Sequence, residues 1–311
     1  MNEFEDRIAG VLLGTAAGDA LGAGYEFTHP GPDRPIEMIG GGLGNFAPGE
    51  WTDDTSMALA IALAADTNPP GLDLDVVAAN FVRWYDSQPP DIGVQTAKVL
   101  SVRPESAEAM WRQSMAIEGR TGGNGSLMRT APVALVHLDS AADCARVAGQ
   151  VSMLTHRDPQ AEQACRIWSL AIRHAVHAGD FQGVRAAVAT LDTADTWHRL
   201  LDEAETLSPQ HFPNNGWVVH ALQTAWWAIT HAPATGPEHL PAALELCVRA
   251  GGDTDTTAAI AGGLLGARWG ASAVPAEWRA MLHGYPGLTG EDLVDLALRI
   301  TRADRRQPTN G

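Results

Sequence analysis

Two short segments of this sequence hold more carboxylates than local structure requires. Trp51-Thr52-Asp53-Asp54-Thr55 opens the apolar run MALAIALAA, and Gly251-Gly252-Asp253-Thr254-Asp255-Thr256-Thr257 opens AAIAGGLLGA. Asp53 and Asp253 lie 200 positions apart (253 − 53), yet both segments set carboxylates and threonine hydroxyls at a helix start. One Asp or Thr is enough for an N-cap, and a first-turn carboxylate gains only modestly from the helix dipole. Carboxylates that are adjacent, or separated by one residue, repel unless something neutralises them. A hard divalent cation does so through carboxylate and hydroxyl oxygens. Neither segment has the calcium-loop pattern, and neither contains the His or Cys that zinc recruits. Taken singly, each cluster reads more readily as a helix cap than as a metal site. Brought together by a fold, they would form a two-metal, oxygen-only centre, able to orient a water, lower its pKa and polarise oxygens of a phosphate or sugar.

Other polar residues offer partners for such a centre. Glu26 follows GDALGAGY and is either a base, a gate over the site or a surface residue at a helix end. Asp19 lies within that same run, exposed, paired or close to a metal. Asp91, in DIG after Pro89-Pro90, is either an N-cap or a contact to a hydroxylated ligand. Gly122-Gly123-Asn124-Gly125-Ser126 can present consecutive backbone N–H groups to an anion without a basic side chain. It lacks the GK[ST] of a P-loop. His156, between two helices, either faces a ligand or caps the preceding helix. His174, His177 and the Trp226-Trp227 pair are expected to be packing or surface residues.

Helices must position these groups. Apolar spacing predicts them at 7–21, 55–65, 73–85, 93–102, 106–117, 126–135, 141–154, 159–178, 181–189, 196–204, 217–230, 240–249, 256–269, 275–282 and 289–301. Gly10, Gly14 and Gly18 fall four apart in the first, each costing about 1 kcal/mol against alanine, which points to close packing against another helix. The loops at 29–49, 119–125 and 205–216 are unusually rich in Gly, Pro or Asn. No strand alternation, repeat or long linker is evident, so the expected architecture is one all-α domain over residues 1–311.

The 311 residues carry a formal charge of −16 with 45% hydrophobic residues, enough for a sizeable core. Disorder and bulk nucleic-acid binding are not expected, because phosphate contacts need Lys and Arg. Cys144, Cys165 and Cys247 have no metal or disulfide spacing and suggest buried thiols in a reducing compartment. The acidic N-terminus does not read as a signal peptide, and the apolar runs are expected to be too interrupted to span a bilayer, so a cytoplasmic location is expected.

The combination resembles the ADP-ribosylglycohydrolase family, which includes the dinitrogenase-reductase-activating glycohydrolases. The matching stretches are GVLLGTAAGDALGAGYEF, GEWTDDTSMALAIA, RWYDSQPPDIG, GNGSLMRTAPVAL, THRDPQAEQAC, GWVVHALQTAWWAI and GGDTDTTAAIAGGLLGARWG, in family order across roughly residues 8–278. The resemblance implies a compact orthogonal helical domain with a central cleft holding two Mg²⁺ or Mn²⁺. It implies that Thr52, Asp53, Asp54 and Asp255 hold one ion, and Asp253, Asp255 and Thr256 the other. Gly122, Asn124, Gly125, Ser126 and His156 match diphosphate and ribose contacts. Glu26 matches a glutamate that closes over, or acts at, the distal ribose, and Asp91 an aspartate associated with arginine-linked substrates. The implied activity is hydrolysis of the N-glycosidic bond between ADP-ribose and a protein arginine by a monomer, with ADP-ribose as product. The alternatives are another ADP-ribosyl linkage (serine, O-acetyl-ADP-ribose or nucleic acid) or a non-catalytic ADP-ribose-binding regulator.

Overall fold

Helix α1 (Glu3–Gly22) begins on a capping box between Asn2 and Glu5 and is buried at every residue from Ile8 to Gly22. A helix apolar on all sides belongs at the centre of a fold. Its partner is α13 (Thr254–Trp269), equally enclosed. The glycine stripe makes their contact possible. An added Cβ would stand 2.2 Å from the Gly266 carbonyl oxygen at Gly10, 2.3 Å from that of Gly262 at Gly14, and 2.1 Å from that of Ala258 at Gly18. From the other side, a Cβ on Gly262 would stand 2.0 Å from the Gly14 oxygen. No larger residue fits this seam without moving a backbone.

The chain is described here from a computed structural model covering residues 1–67 and 71–304; the remaining positions of the expected 1–311 domain lie outside the described residues. The other helices are α2 (Asp53–Thr67), α3 (Leu74–Asp86), α4 (Val94–Leu100), α5 (Ala107–Ala116), α6 (Ala131–Val136), α7 (Ala141–Met153) and α8 (Pro159–Ala178). They continue with α9 (Gly183–Val188), α10 (Ala194–Thr206), α11 (Val218–His231), α12 (His239–Ala250), α14 (Ala276–Met281) and α15 (Gly290–Asp304). Around the α1–α13 pair pack α2, α6, α8, α11, α12 and α15. A hydrophobic core runs continuously from Ile8 to Ile300, so the fold is compact and all-α. Beyond the helices, His283–Gly284 and Leu288–Thr289 form a two-residue antiparallel hairpin.

Two expectations need correction. Residues Glu3–Tyr25 are long and apolar enough to cross a membrane by length and composition. Asp19 does not interrupt the run sufficiently, and the apolar surface is covered by the fold's own helices. The helix expected over 126–135 is a 3₁₀ turn at Asn124–Ser126 followed by the separate α6. Pro132 explains the break: proline is tolerated in a helix's first turn, where the structure puts it, but not six residues into one. Cys144, Cys165 and Cys247 are free and buried. His174 pairs with Asp180, His177 with the Leu138 carbonyl, and Trp226 is in the core with its indole N–H on Glu205.

Candidate functional site

The seam between α1 and α13 ends where the chemistry begins. Gly22, at the end of α1, faces the backbone of Asp255, where an added Cβ would stand 2.5 Å from Asp255 Cα. Thr254 Oγ1 donates to the Gly22 carbonyl at 2.9 Å. α2 and α13 begin two residues earlier than their apolar pattern suggests, which puts Asp53, Asp54 and Asp255 in first turns.

The capping explanation for these carboxylates does not hold. The exposed amides at the start of α2 are served from another helix: Thr52 N–H and Thr55 N–H donate to Asp19 at 3.0 and 2.9 Å, and the Thr55 hydroxyl donates at 2.6 Å. Asp253, at the cap position of α13, makes no side-chain cap bond. The carboxylates thus freed converge. Oxygens of Asp19, Asp54 and Asp255 lie within 4.8 Å of one another, as do those of Glu26, Asp253 and Asp255, so Asp255 belongs to both triangles.

Hydroxyls complete the first triangle. Thr52 Oγ1 donates to Asp54 Oδ2 at 3.1 Å, and Thr256 Oγ1 approaches the same oxygen at 3.5 Å. Asp54 Oδ1 is buried without a hydrogen-bond partner. An unpartnered buried carboxylate oxygen is costly. Burial and then repulsion by neighbouring carboxylates hold Asp54 and Asp255 well above the usual carboxylate range. Burial pushes Asp19 up to about 6 against its hydrogen bonds, and burial followed by Asp253 and Asp91 pushes Glu26 up to about 7. Helix dipoles contribute about 0.3–1 kcal/mol each, too little to offset shifts of this size, since one pKa unit is about 1.4 kcal/mol. Oxygen-only donors, two triangles with a shared vertex and an orphaned buried oxygen fit divalent cations of the magnesium or manganese type.

The remaining residues form two walls. On one side, Asp53 falls outside both triangles and lines a cavity of about 180 Å³ with Asp91, Glu50, Trp51, Trp84 and Tyr285. Loss of water contact, then Asp91, pushes Asp53 up to about 8, while the Gly93 amide acts against them. Asp91 does not cap α4, whose cap position is Gly93. The 29–49 loop is largely exposed but touches this wall at two points. Its Leu43 amide approaches Glu26 Oε2 at 3.5 Å, and Phe46 reaches the cavity.

On the other side stands the glycine turn. Asn124 Nδ2 donates to Asp253 Oδ2 at 2.7 Å and to the Asn215 carbonyl at 2.9 Å. Asn215 Oδ1 in turn accepts from the Asp253 amide at 3.0 Å. His156 is buried, and Cβ atoms added at Gly123 and Gly125 would stand 3.5 and 3.3 Å from its Nε2. These glycines bring bare backbone against the imidazole. Gly122 borders a neighbouring cavity of about 630 Å³ with Trp217, Gln95 and Asp158. The Ser126 hydroxyl turns inward, accepting from Ser152 Oγ at 2.9 Å, and its carbonyl accepts from the Thr130 hydroxyl. A larger apolar groove of about 1000 Å³ involving α7, α8 and α9 includes none of these carboxylates.

Asn215, Gln95 and Glu50 carry no sequence signal: each is a polar residue in a loop or short helix whose partners lie far along the chain. Asp19 stands out only as the one charged residue between Ile8 and Gly22.

A helical core that gathers carboxylates from α2 and α13 beside a glycine turn defines a metal-fitting, hydrolase-like cleft. Residues 1–310 match the ADP-ribosylglycohydrolase family, and the chain belongs to it. It is 30% identical over 279 residues to the ADP-ribosylarginine hydrolase Tri1 of Pseudomonas putida (strain GB-1), covering 88% of this chain and 73% of that one. It is 30% identical over 288 residues to the ADP-ribosyl-(dinitrogen reductase) glycohydrolase of Rhodospirillum rubrum, covering 89% and 90%. A solved ADP-ribosylglycohydrolase-related protein complex superposes with a TM-score of 0.79 at 29% identity, over 98% of this chain and 100% of that one. Family membership makes this chain a hydrolase of ADP-ribosyl linkages.

Proposed function

We propose that the protein hydrolyses the N-glycosidic bond between ADP-ribose and a modified protein arginine, releasing ADP-ribose, with two Mg²⁺ or Mn²⁺ as cofactors. The observation that carries the arginine assignment is the 180 Å³ cavity beside the carboxylate triangles. Its aromatic walls, Trp51, Trp84 and Tyr285, and its carboxylates, Glu50, Asp53 and Asp91, suit a flat, delocalised cation. A serine or acetyl leaving group has no use for that charge. The arginine-linked activity named for the Pseudomonas relative supports the same reading.

Asp54, Asp255, Thr52 and Thr256 would hold one cation, with Asp53 next in sequence, and Asp253 and Asp255 would hold the other with Glu26 at its edge. When bound, the ions offset the buried negative charge and polarise ribose and water oxygens. The glycine turn presents the amides of Gly122, Gly125 and Ser126 to the diphosphate, with His156 beside it, while Asn124, whose own amide donates to the Gly216 carbonyl, holds the turn in place. The distal ribose then lies between the triangles and the aromatic cavity. Water attacks C1″, the C1″–N bond breaks, and its electron pair returns to the guanidino nitrogen. Glu26, poised near neutrality, accepts the proton lost by the attacking water. Asp91, on the leaving-group side, holds the guanidinium as a carboxylate; the departing guanidine regains a proton from solvent as Glu26 releases its own to solvent. Asp19 positions α2 rather than entering the reaction. The buried reduced thiols support a cytoplasmic setting, and we expect a monomer.

The test is a panel of arginine-, serine- and acetyl-linked ADP-ribose conjugates, each with and without Mg²⁺ or Mn²⁺. Metal-dependent release from the arginine conjugate is expected. Release from the serine conjugate alone overturns the proposal.

A further inference from the structure

Arg129 is fully buried behind the glycine turn, and no carboxylate among the described residues is bonded to it. Its guanidinium stacks over Phe81 with Cζ 4.5 Å from the ring centre. Nη1 faces Met57 Sδ at 3.6 Å, and Nη2 donates to the Val151 carbonyl at 3.2 Å and to Thr155 Oγ1 at 2.7 Å. Burial pulls it down to about 10, so it remains cationic at neutral pH. A buried cation without an ionic partner costs stability. Its placement asks for a purpose.

The purpose follows from hydrogen counting. Thr155 is fully buried, and its hydroxyl lies 2.8 Å from His156 Nδ1. A guanidinium can only donate, so Thr155 Oγ1 must accept from Arg129. Its single hydrogen then has one acceptor within reach, His156 Nδ1. If the imidazole carried its proton on Nδ1 instead, the hydroxyl would accept from both neighbours. Its own hydrogen would be stranded in a dry site, an expensive arrangement. Burial and the Arg129 charge keep the imidazole neutral, so it has only one proton to place. That proton belongs on Nε2, the nitrogen that borders Gly123 and Gly125.

We propose that Arg129, acting through Thr155, is a positioning residue that locks His156 as the Nε2–H tautomer, giving the glycine turn a side-chain donor for an oxyanion. The relay has a fixed direction because arginine has no acceptor with which to reverse it. The inference rests on the reading above only in taking that oxyanion to be the diphosphate of ADP-ribose.

Two-bond ¹H–¹⁵N spectra of histidine-labelled protein test the relay, with the His156 signals assigned by their loss in His156→Gln. Wild type is expected to show a bare Nδ1 and a protonated Nε2. Thr155→Val should lose that pattern and bind ADP-ribose about tenfold more weakly by calorimetry, the scale of one lost hydrogen bond. Thr155→Ser should restore both. A wild-type imidazole protonated on Nδ1 overturns the relay, as does Thr155→Val with unchanged spectrum and affinity. If Thr155→Val fails to fold, the wild-type spectrum decides alone. A wild type with the expected spectrum but no ADP-ribose binding overturns the diphosphate reading and leaves the relay standing.

Discussion

The starts of α2 and α13 carry nearly the same residues and are held by different means. At α2, Asp19 from the core helix takes the exposed amides of Thr52 and Thr55 in a fully buried setting. At α13, the part-exposed Asp253 is fixed by side chains from two loops, Asn124 and Asn215. One start is anchored to the central helix α1 and presents Asp54, with an oxygen that has no protein partner. The other is wired to the turn proposed to grip the diphosphate. Similar motifs thus divide the work: α2 supplies a rigid, charged wall, and α13 couples the charged centre to the ligand loop.

Asp255 belongs to both sides, so its loss gives the largest effect. Asp255→Ala should lower kcat on an arginine-linked conjugate about a thousandfold or more, since metal polarisation is worth several kcal/mol. Asp253→Ala touches one triangle and should cost less. Equal losses in steady-state assays at saturating Mn²⁺ would erase the distinction between the two starts.

Gly22→Ala attacks the α13 start alone. Its new Cβ would meet backbone at 2.5 Å, which side-chain motion cannot relieve. A destabilisation of about 1–3 kcal/mol in urea titration is expected, together with weakened Mn²⁺ affinity. Unchanged stability would mean that the α1–α13 seam yields more readily than its spacing indicates.

How these parts announce themselves in sequence depends on the range of their contacts. The glycine stripe and the acidic helix starts are local patterns, and both point to the seam and the centre. Asp19 is different: its partners lie 33 and 36 residues away, and nothing beside it marks it as a cap for another helix. Glu50 and Asn215 are harder still, being ordinary loop polars until the fold brings the aromatic cavity and the Asp253 amide to them. The break between the turn at Asn124–Ser126 and α6 was hidden by apolar spacing that starts at Leu127, although Pro132 marked the true start of α6.

The metal-free centre should also respond to pH. Asp19 near 6, Glu26 near 7 and Asp53 near 8 all lie above their unfolded values of about 4. Their folded forms hold protons that the unfolded chain releases first, so the stability they confer is present in full below about pH 4 and is lost as pH rises towards 8. Thermal unfolding after EDTA treatment should show Tm falling between pH 5 and pH 8, with Mg²⁺ or Mn²⁺ restoring it most at the upper end. A Tm that rises across this window without metal would contradict the placement of these carboxylates.

The smallest effect separates anchoring from chemistry. Asp19→Asn keeps the shape of the side chain at the α2 start but weakens its bonds to Thr52 and Thr55, and should cost about 1 kcal/mol, the usual worth of a helix cap. It also removes one of the buried negative charges, which acts the other way in metal-free protein. The net change should therefore be destabilising with Mn²⁺ bound and near zero without it. Asn215→Ala should instead weaken both ADP-ribose binding and Mn²⁺ affinity while sparing the α2 wall, because it loosens the loop and frees the Asp253 amide it holds. Measuring Tm and ADP-ribose affinity for both variants, with and without Mn²⁺, places each residue. An Asp19→Asn protein with normal Tm in Mn²⁺ and abolished turnover would make Asp19 a participant in the chemistry and α2 as much a working part as α13.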